Sequence, residues 1–203
     1  MGISPKAFES LSKRLHSPPA TPATEEGAAP DRPSTQGPLR ILGVDPSLRG
    51  TGFGVISASA SQMSYLEAGT IKCAPKWAHS RCLHTIFEAI SDVIQRQRPE
   101  VCVVEGLFFA KNSKTALIMG QARGASIVAA SRTGIPVYEI AARKVKQAIV
   151  GFGGAQKLAV AKMVERMLSL DHTPAPDAGD ALALAMTFSL ESRSPAAKPI
   201  HRI

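Results

Sequence analysis

Apolar residues recur along the chain in two rhythms. Leu39-Arg40-Ile41-Leu42-Gly43-Val44 is a short, nearly continuous apolar run, and Asp45-Pro46-Ser47 stops it, because proline has no N–H to give a central ladder. Residues 51–58 and 63–72 are two more β-rich stretches joined by a short polar turn, which predicts a three-stranded antiparallel meander. Val101-Cys102-Val103-Val104 is apolar throughout, as in strands covered on both faces, and ends in Glu105-Gly106; Ile135 to Ile140 reads the same way. The second rhythm is helical. Leu83, Ile86, Phe87, Ile90 and Ile94 recur at spacings of three and four over Ala78 to Arg98, and Pro99 ends that stripe. Further helices are predicted over Asn112 to Thr133, Ala141 to Val150, Ala155 to Leu170 and Asp177 to Glu191. Early antiparallel strands followed by strands alternating with helices give an α/β class: a mixed five-stranded sheet with helices on both faces.

The first 38 residues break the pattern. They hold seven of the fifteen prolines, are rich in Ser, Thr and Ala, and show no apolar period beyond one short helical stretch, Pro5 to Leu15, so they read as a disordered tail. Residues 39–192 are then one domain and 193–203 a short C-terminal tail. The tail has no hydrophobic core of a secretory signal, and its acids Glu9, Glu25, Glu26 and Asp31 argue against an organelle transit peptide. At 44% hydrophobic and 20% charged, the composition excludes disorder of the whole chain. No apolar run approaches the roughly 20 residues of a membrane span. Cys73, Cys82 and Cys102 are odd in number and lack metal-ligand spacing, which leaves no disulfide framework or zinc site and fits a reducing, cytoplasmic setting. The net charge of +8 belongs to the domain, since the tail is nearly balanced, and it suits a phosphate polyanion; solubility is its other use.

Four acids stand where structural roles explain them poorly. Asp45 closes the first strand and Glu105 the buried fourth. If these strands are adjacent and parallel, both carboxylates leave one sheet edge, where open α/β sheets place ligands. Asp177 and Asp180 lie three apart in the first turn of the last helix, on one face. Such a cluster repels itself unless hard cations occupy it, and two ions about 4 Å apart would suit phosphodiester hydrolysis. Structural roles stay open for Asp45, which can cap the turn before Pro46, and for the helical pair, which complements the helix dipole. Glu105 directly follows four apolar residues, and burying it has no evident structural return.

Ile41-Leu42-Gly43-Val44-Asp45-Pro46, Thr51-Gly52-Phe53-Gly54-Val55-Ile56, Glu105 with Phe108-Phe109-Ala110-Lys111-Asn112, Gly120-Gln121-Ala122-Arg123-Gly124, Val145-Lys146-Gln147-Ala148 and Pro176-Asp177-Ala178-Gly179-Asp180-Ala181-Leu182-Ala183 together closely resemble the RuvC Holliday-junction resolvases, over about residues 39–190. Ser47 and Leu48 stand where that family usually has a Gly-Ser pair. The resemblance implies an RNase H-like fold and a magnesium-dependent, dimeric crossover junction endodeoxyribonuclease acting on four-way DNA in recombination and repair. It implies two Mg2+ per site, with Mn2+ able to substitute, and Asp45, Glu105, Asp177 and Asp180 as the catalytic, metal-holding acids. It further implies Lys146 and Lys157 near the reacting phosphate, Phe108 stacking on unpaired bases, and the RuvA-RuvB branch-migration complex as partner. Lys111, Lys114, Arg143 and Lys144 extend the basic patch as DNA contacts.

Two other readings are weaker. Gly151-Phe152-Gly153-Gly154-Ala155-Gln156-Lys157-Leu158 lacks the Ser or Thr after the lysine that a phosphate loop needs. A sugar-kinase-like reading of residues 45–55 requires two domains, and about 165 residues supply one. A non-catalytic junction-binding protein of the same fold is the remaining alternative, disfavoured by the presence of all four acids.

Overall fold

Ile41, Leu42 and Val44 are fully buried, and the strand they form lies at the centre of the sheet in the computed structural model, which describes residues 37–106, 113–194 and 199–203. This strand, β1 (Leu39–Asp45), pairs antiparallel with β2 (Gly50–Ala58), which turns into antiparallel β3 (Met63–Lys72). On its other side β1 runs parallel to β4 (Val101–Glu105), and β4 runs parallel to β5 (Val137–Ile140). The expected mixed sheet has a sixth strand. β6 (His201–Arg202) pairs antiparallel with β5, giving the order β3-β2-β1-β4-β5-β6, so part of the stretch expected as a C-terminal tail belongs to the sheet. Its cause is the open edge of β5: Ile203 also donates its N–H to the Val137 carbonyl at 3.0 Å.

Among the described residues five helices cover the two faces: α1 (His79–Gln97), α2 (Ser113–Ser131), α3 (Ala142–Val150), α4 (Lys157–Met167) and α5 (Pro176–Arg193). Side chains alternate across a strand. Leu42, Val44, Val55, Cys102 and Val104 therefore meet Ile86, Ile90 and Val93 of α1 and Ala122, Ala129 and Ala130 of α2 on one face. Ile41, Ile56, Val101 and Val103 meet Val145 and Ile149 of α3, Val160 and Val164 of α4 and Leu182 to Met186 of α5 on the other. Each fully buried Ile or Leu contributes roughly 1.5–3 kcal/mol. Arg98 ends α1 in the left-handed region, φ 48°, returning its N–H to the Ile94 carbonyl before Pro99.

The helix that matters for the site is α5. Its residues from Ala181 to Ser189 are all buried, as expected of a helix apolar all round. It touches the sheet main chain to main chain. A Cβ on Gly43 would come within 2.0 Å of the Ala181 carbonyl oxygen, and one on Gly52 within 2.0 Å of that of Asp177. Only glycine permits this approach, and it brings the first turn of α5 down onto β2 beside the end of β1. Among the described residues no helix is long and apolar enough to cross a membrane. Phe108, Lys111 and residues 1–36 of the expected tail lie outside the described residues.

Candidate active site

Val44 and Val104 are register partners in the parallel β1–β4 pair, so the next residues, Asp45 and Glu105, leave the same sheet edge. Their carboxyl groups hydrogen-bond each other. Burial pushes Asp45 up to about 7, with repulsion from Glu105 and from Asp180 and the shared hydrogen bond adding to it, while Lys157 pulls it back. Burial raises Glu105 as well and Asp180 repels it; the hydrogen bond from Asp45 and the charges of Lys157 and Lys146 act the other way. Asp45 is thus far harder to ionise than an isolated carboxyl, because burial and the neighbouring acids oppose its charge.

The turn after Asp45 is built to stay closed. Ser47 donates its N–H to Thr51 Oγ1 at 3.2 Å, and that hydroxyl donates back to the Ser47 carbonyl at 2.6 Å. Neither Ser47 nor Leu48 has a positive φ, so no glycine is required there. Leu48 is buried with Cys73 and Cys82. Arg49 pins the segment by donating to the Ala74 carbonyl at 2.6 Å and the Trp77 carbonyl at 3.2 Å.

The two acids of α5 have different surroundings. Asp180 faces the Asp45–Glu105 pair and accepts a hydrogen bond from Lys157 Nζ at 2.6 Å, a contact that raises Lys157. Asp177 turns toward β2, its Oδ2 lying 3.0 Å from where a Gly50 Cβ would stand, and its main chain covers Gly52, the cross-strand partner of Asp45. The structure therefore gathers Asp45, Glu105, Asp180 and Lys157, with Lys146 within electrostatic reach and Asp177 on the adjoining side. Lys144 is engaged elsewhere, paired with Glu191 at 2.9 Å. Arg143 is exposed on α3, and Lys114 is exposed in the first turn of α2.

Among the described residues no group of three or more His, Cys, Asp or Glu side chains stands close enough to hold a metal ion as it is. The oxygen-only donors nonetheless fit a hard divalent ion. Mg2+ dehydrates reluctantly, takes one or two carboxylates and keeps its other positions for water and substrate phosphate. Buried carboxyls that repel one another mark where a cation is wanted.

Sequence reasoning gave Arg123 no role. It is largely buried and donates from Nε to the Glu105 carbonyl oxygen at 3.3 Å while pairing with Glu139, so it ties α2 to the ends of β4 and β5. Its signal in the sequence is an arginine within a stretch of small helical residues, where a buried guanidinium must find acceptors.

Residues 41–188 match the family model of the crossover junction endodeoxyribonuclease RuvC. The chain belongs to the RuvC family. The RuvC of Cronobacter sakazakii is 47% identical over 147 residues, covering 72% of this chain and 84% of that protein. The RuvC of Bordetella pertussis is 43% identical over 148 residues, covering 73% of this chain and 81% of that one. The structure of Thermus thermophilus RuvC in complex with a Holliday junction substrate superposes with a TM-score of 0.74 at 36% identity, covering 79% of this chain and 99% of that chain. The mixed sheet is thus the RNase H-like sheet of RuvC, and the chain is a nuclease of that hydrolase family. RuvC nucleases depend on a divalent metal, in keeping with the oxygen donors at the sheet edge.

Proposed function

We propose that the chain resolves four-way DNA junctions by paired symmetric nicks, hydrolysing the phosphodiester at the edge shared by Asp45 and Glu105. One observation carries the reading: Asp45 and Glu105 leave the ends of two adjacent parallel strands at one sheet edge, beside Asp180 and Lys157 of the neighbouring helices. Asp45, Glu105, Asp177 and Asp180 would hold two Mg2+, or Mn2+ in their place. Such ions supply an activated water and counter-charge for the leaving oxygen. The remaining work falls to the chain. Asp45 and Glu105 present their carboxyl oxygens from adjoining strand ends. Asp180 holds Lys157 Nζ at the edge, where the ammonium faces the charge that builds on the phosphate, and Lys146 adds to that field from α3. Arg143 and Lys114 meet the phosphates of the arms, together with Lys111, and Phe108 stacks at the junction centre, while Lys144 is held by Glu191.

A four-way junction has approximate two-fold symmetry, so paired nicks call for two sites on one two-fold object, and a homodimer supplies them. The small residues Gly120, Ala122, Gly124 and Ala125 first suggest where on α2 the partner sits. Ala122 is fully buried and Ala125 packs in the same core, so both face inward. Leu117, 65% exposed, and Val128, 56% exposed, share the outer side with Gly124, whose added Cβ would meet nothing within 4 Å. That outer stripe is the better interface. The RuvA-RuvB complex is the expected partner in branch migration and the cytoplasm the expected place.

The test is a labelled four-way junction with Mg2+. Asp45→Asn, Glu105→Gln, Asp177→Asn and Asp180→Asn should each abolish cutting and leave junction binding intact, since each loses a metal ligand and no phosphate contact. Ca2+ should support binding without efficient cutting. Full cutting by any one variant removes that residue from the site, and a wild type that binds but never cuts favours the non-catalytic alternative.

A further inference from the structure

The turn between α3 and α4 carries a side chain that the acid cluster does not use. Its sequence is Gly151-Phe152-Gly153-Gly154, and Phe152 keeps 68% of its surface exposed. An aromatic ring left in water forgoes the free energy that burial would give. Leu158, the second residue of α4, is likewise 63% exposed. The local structure holds the ring out. Gly151 ends α3 at φ +83°, which turns the chain away from the core, and the Ala155 N–H donates to the Phe152 carbonyl at 3.1 Å, which closes the turn. The ring lies against the bare backbone of Gly154, where a Cβ would sit 2.7 Å from its Cε1 and Cζ. Gly153 makes similar room for Arg143, whose Cγ and Nε come to 2.9 and 3.2 Å of its missing Cβ. The loop that presents the aromatic ring also seats the Arg143 side chain, which reaches it from α3.

The surroundings say what the ring meets. Residues 143–162 hold five Lys and Arg and no Asp or Glu, a stretch suited to a polyanion and unsuited to a neutral or basic protein face. Five residues after Phe152 comes Lys157, whose Nζ touches Asp180 at the acid edge.

We propose that Phe152 is a substrate-contact residue: its ring stacks on a nucleoside of the strand being cut and so sets the scissile phosphate beside Lys157 and Asp180. The inference rests on the junction reading and deepens it. Stacking suits a site that tolerates many sequences, because every base offers a π face. A partner protein's apolar patch is the competing occupant, and the experiment separates the two.

Junction affinity in Ca2+ and single-turnover cutting in Mg2+ are measured for Phe152→Ala, Phe152→Leu and Phe152→Trp, with melting temperature as the folding control. An exposed ring leaves the fold intact, so all three should melt with the wild type. Phe152→Ala should bind the junction about tenfold more weakly, about 1.4 kcal/mol. Phe152→Leu should stay as weak, because it keeps apolar area and loses the flat face, and Phe152→Trp should restore binding. The tryptophan of that variant should be quenched when the junction binds, beyond the change shown by Trp77, the single tryptophan of the wild type. Wild-type affinity and cutting in Phe152→Ala, or equal behaviour of Phe152→Leu and wild type, overturns the inference while junction activity stands, and leaves the ring to a protein partner. A wild type that neither binds nor cuts the junction overturns the junction reading and this inference with it.

Discussion

In the absence of metal at pH 8, Asp45→Asn should melt higher than the wild type. Folding raises the Asp45 carboxyl from 3.8 to about 7, chiefly by burial and by the nearness of Glu105. The folded state therefore holds the proton more tightly than the unfolded chain, and wild-type stability falls as pH climbs from about 4 to about 7, then levels off. At about 1.36 kcal/mol per pH unit, the full shift corresponds to about 4 kcal/mol. Part of it is repulsion shared with Glu105, which relaxes when either carboxyl takes the proton, so the expected gain is about 2 kcal/mol. For a domain of this size that is a rise of roughly 4 to 8 °C. The assay is thermal unfolding of both proteins in chelator from pH 4 to 8.5, repeated with Mg2+. The difference should be smallest at pH 4, where Asp45 is protonated in the folded state and only about half ionised in the unfolded chain, and greatest at pH 8. Mg2+ should narrow it by binding the charged pair of the folded wild type. A gap that does not widen with pH, or an Asn variant that melts lower at pH 8, would refute the view that this pair is held together against its own charge.

Lys157→Ala and Lys146→Ala should slow single-turnover cutting by more than they weaken binding, and equal losses in the two measurements would reduce both lysines to docking contacts. Junction affinity should fall steeply with salt, by about one unit of log–log slope for each phosphate contact. Leu117→Glu combined with Val128→Glu should give a folded monomer by sedimentation that cuts poorly, and a double variant that stays dimeric puts the interface elsewhere. A chain beginning at Gly37 should fold and cut as the full chain does; loss of cutting would give the first 36 residues a role.

The strand framework is legible because burial on both faces leaves an unbroken apolar run, as in residues 101–104, and the acids at the two strand ends follow from parallel neighbouring strands. β6 was not legible, since two residues have no period and their pairing depends on the edge of β5. The small residues of α2 were ambiguous for a physical reason: alanine fills a close contact equally well against its own sheet or against a partner. Only the helix's rotation, with Ala122 inward and Leu117 and Val128 outward, separates the two. Arg123 was passed over because a charged residue in a helix reads as surface until its acceptors are seen. The divergence of Asp177 from Asp180 is equally local. Three residues apart on one helix, they meet different neighbours, Gly50 and Lys157.

At Gly43 and Gly52 α5 meets β1 and β2 main chain to main chain, while at Gly54 the Leu182 side chain fills the contact. Most inter-element spacings in a protein are set by side chains, so they drift as substitutions accumulate, one methylene at a time. At Gly43 and Gly52 no side chain intervenes. The offset between the helix that carries Asp177 and Asp180 and the strand that carries Asp45 is the thickness of bare peptide, a dimension that mutation elsewhere in the core cannot rescale. Mg2+ tolerates only tenths of an ångström in its ligand distances. The glycines thus act as a fixed gauge block, keeping the acids in calibration while the remainder of the hydrophobic core is free to vary.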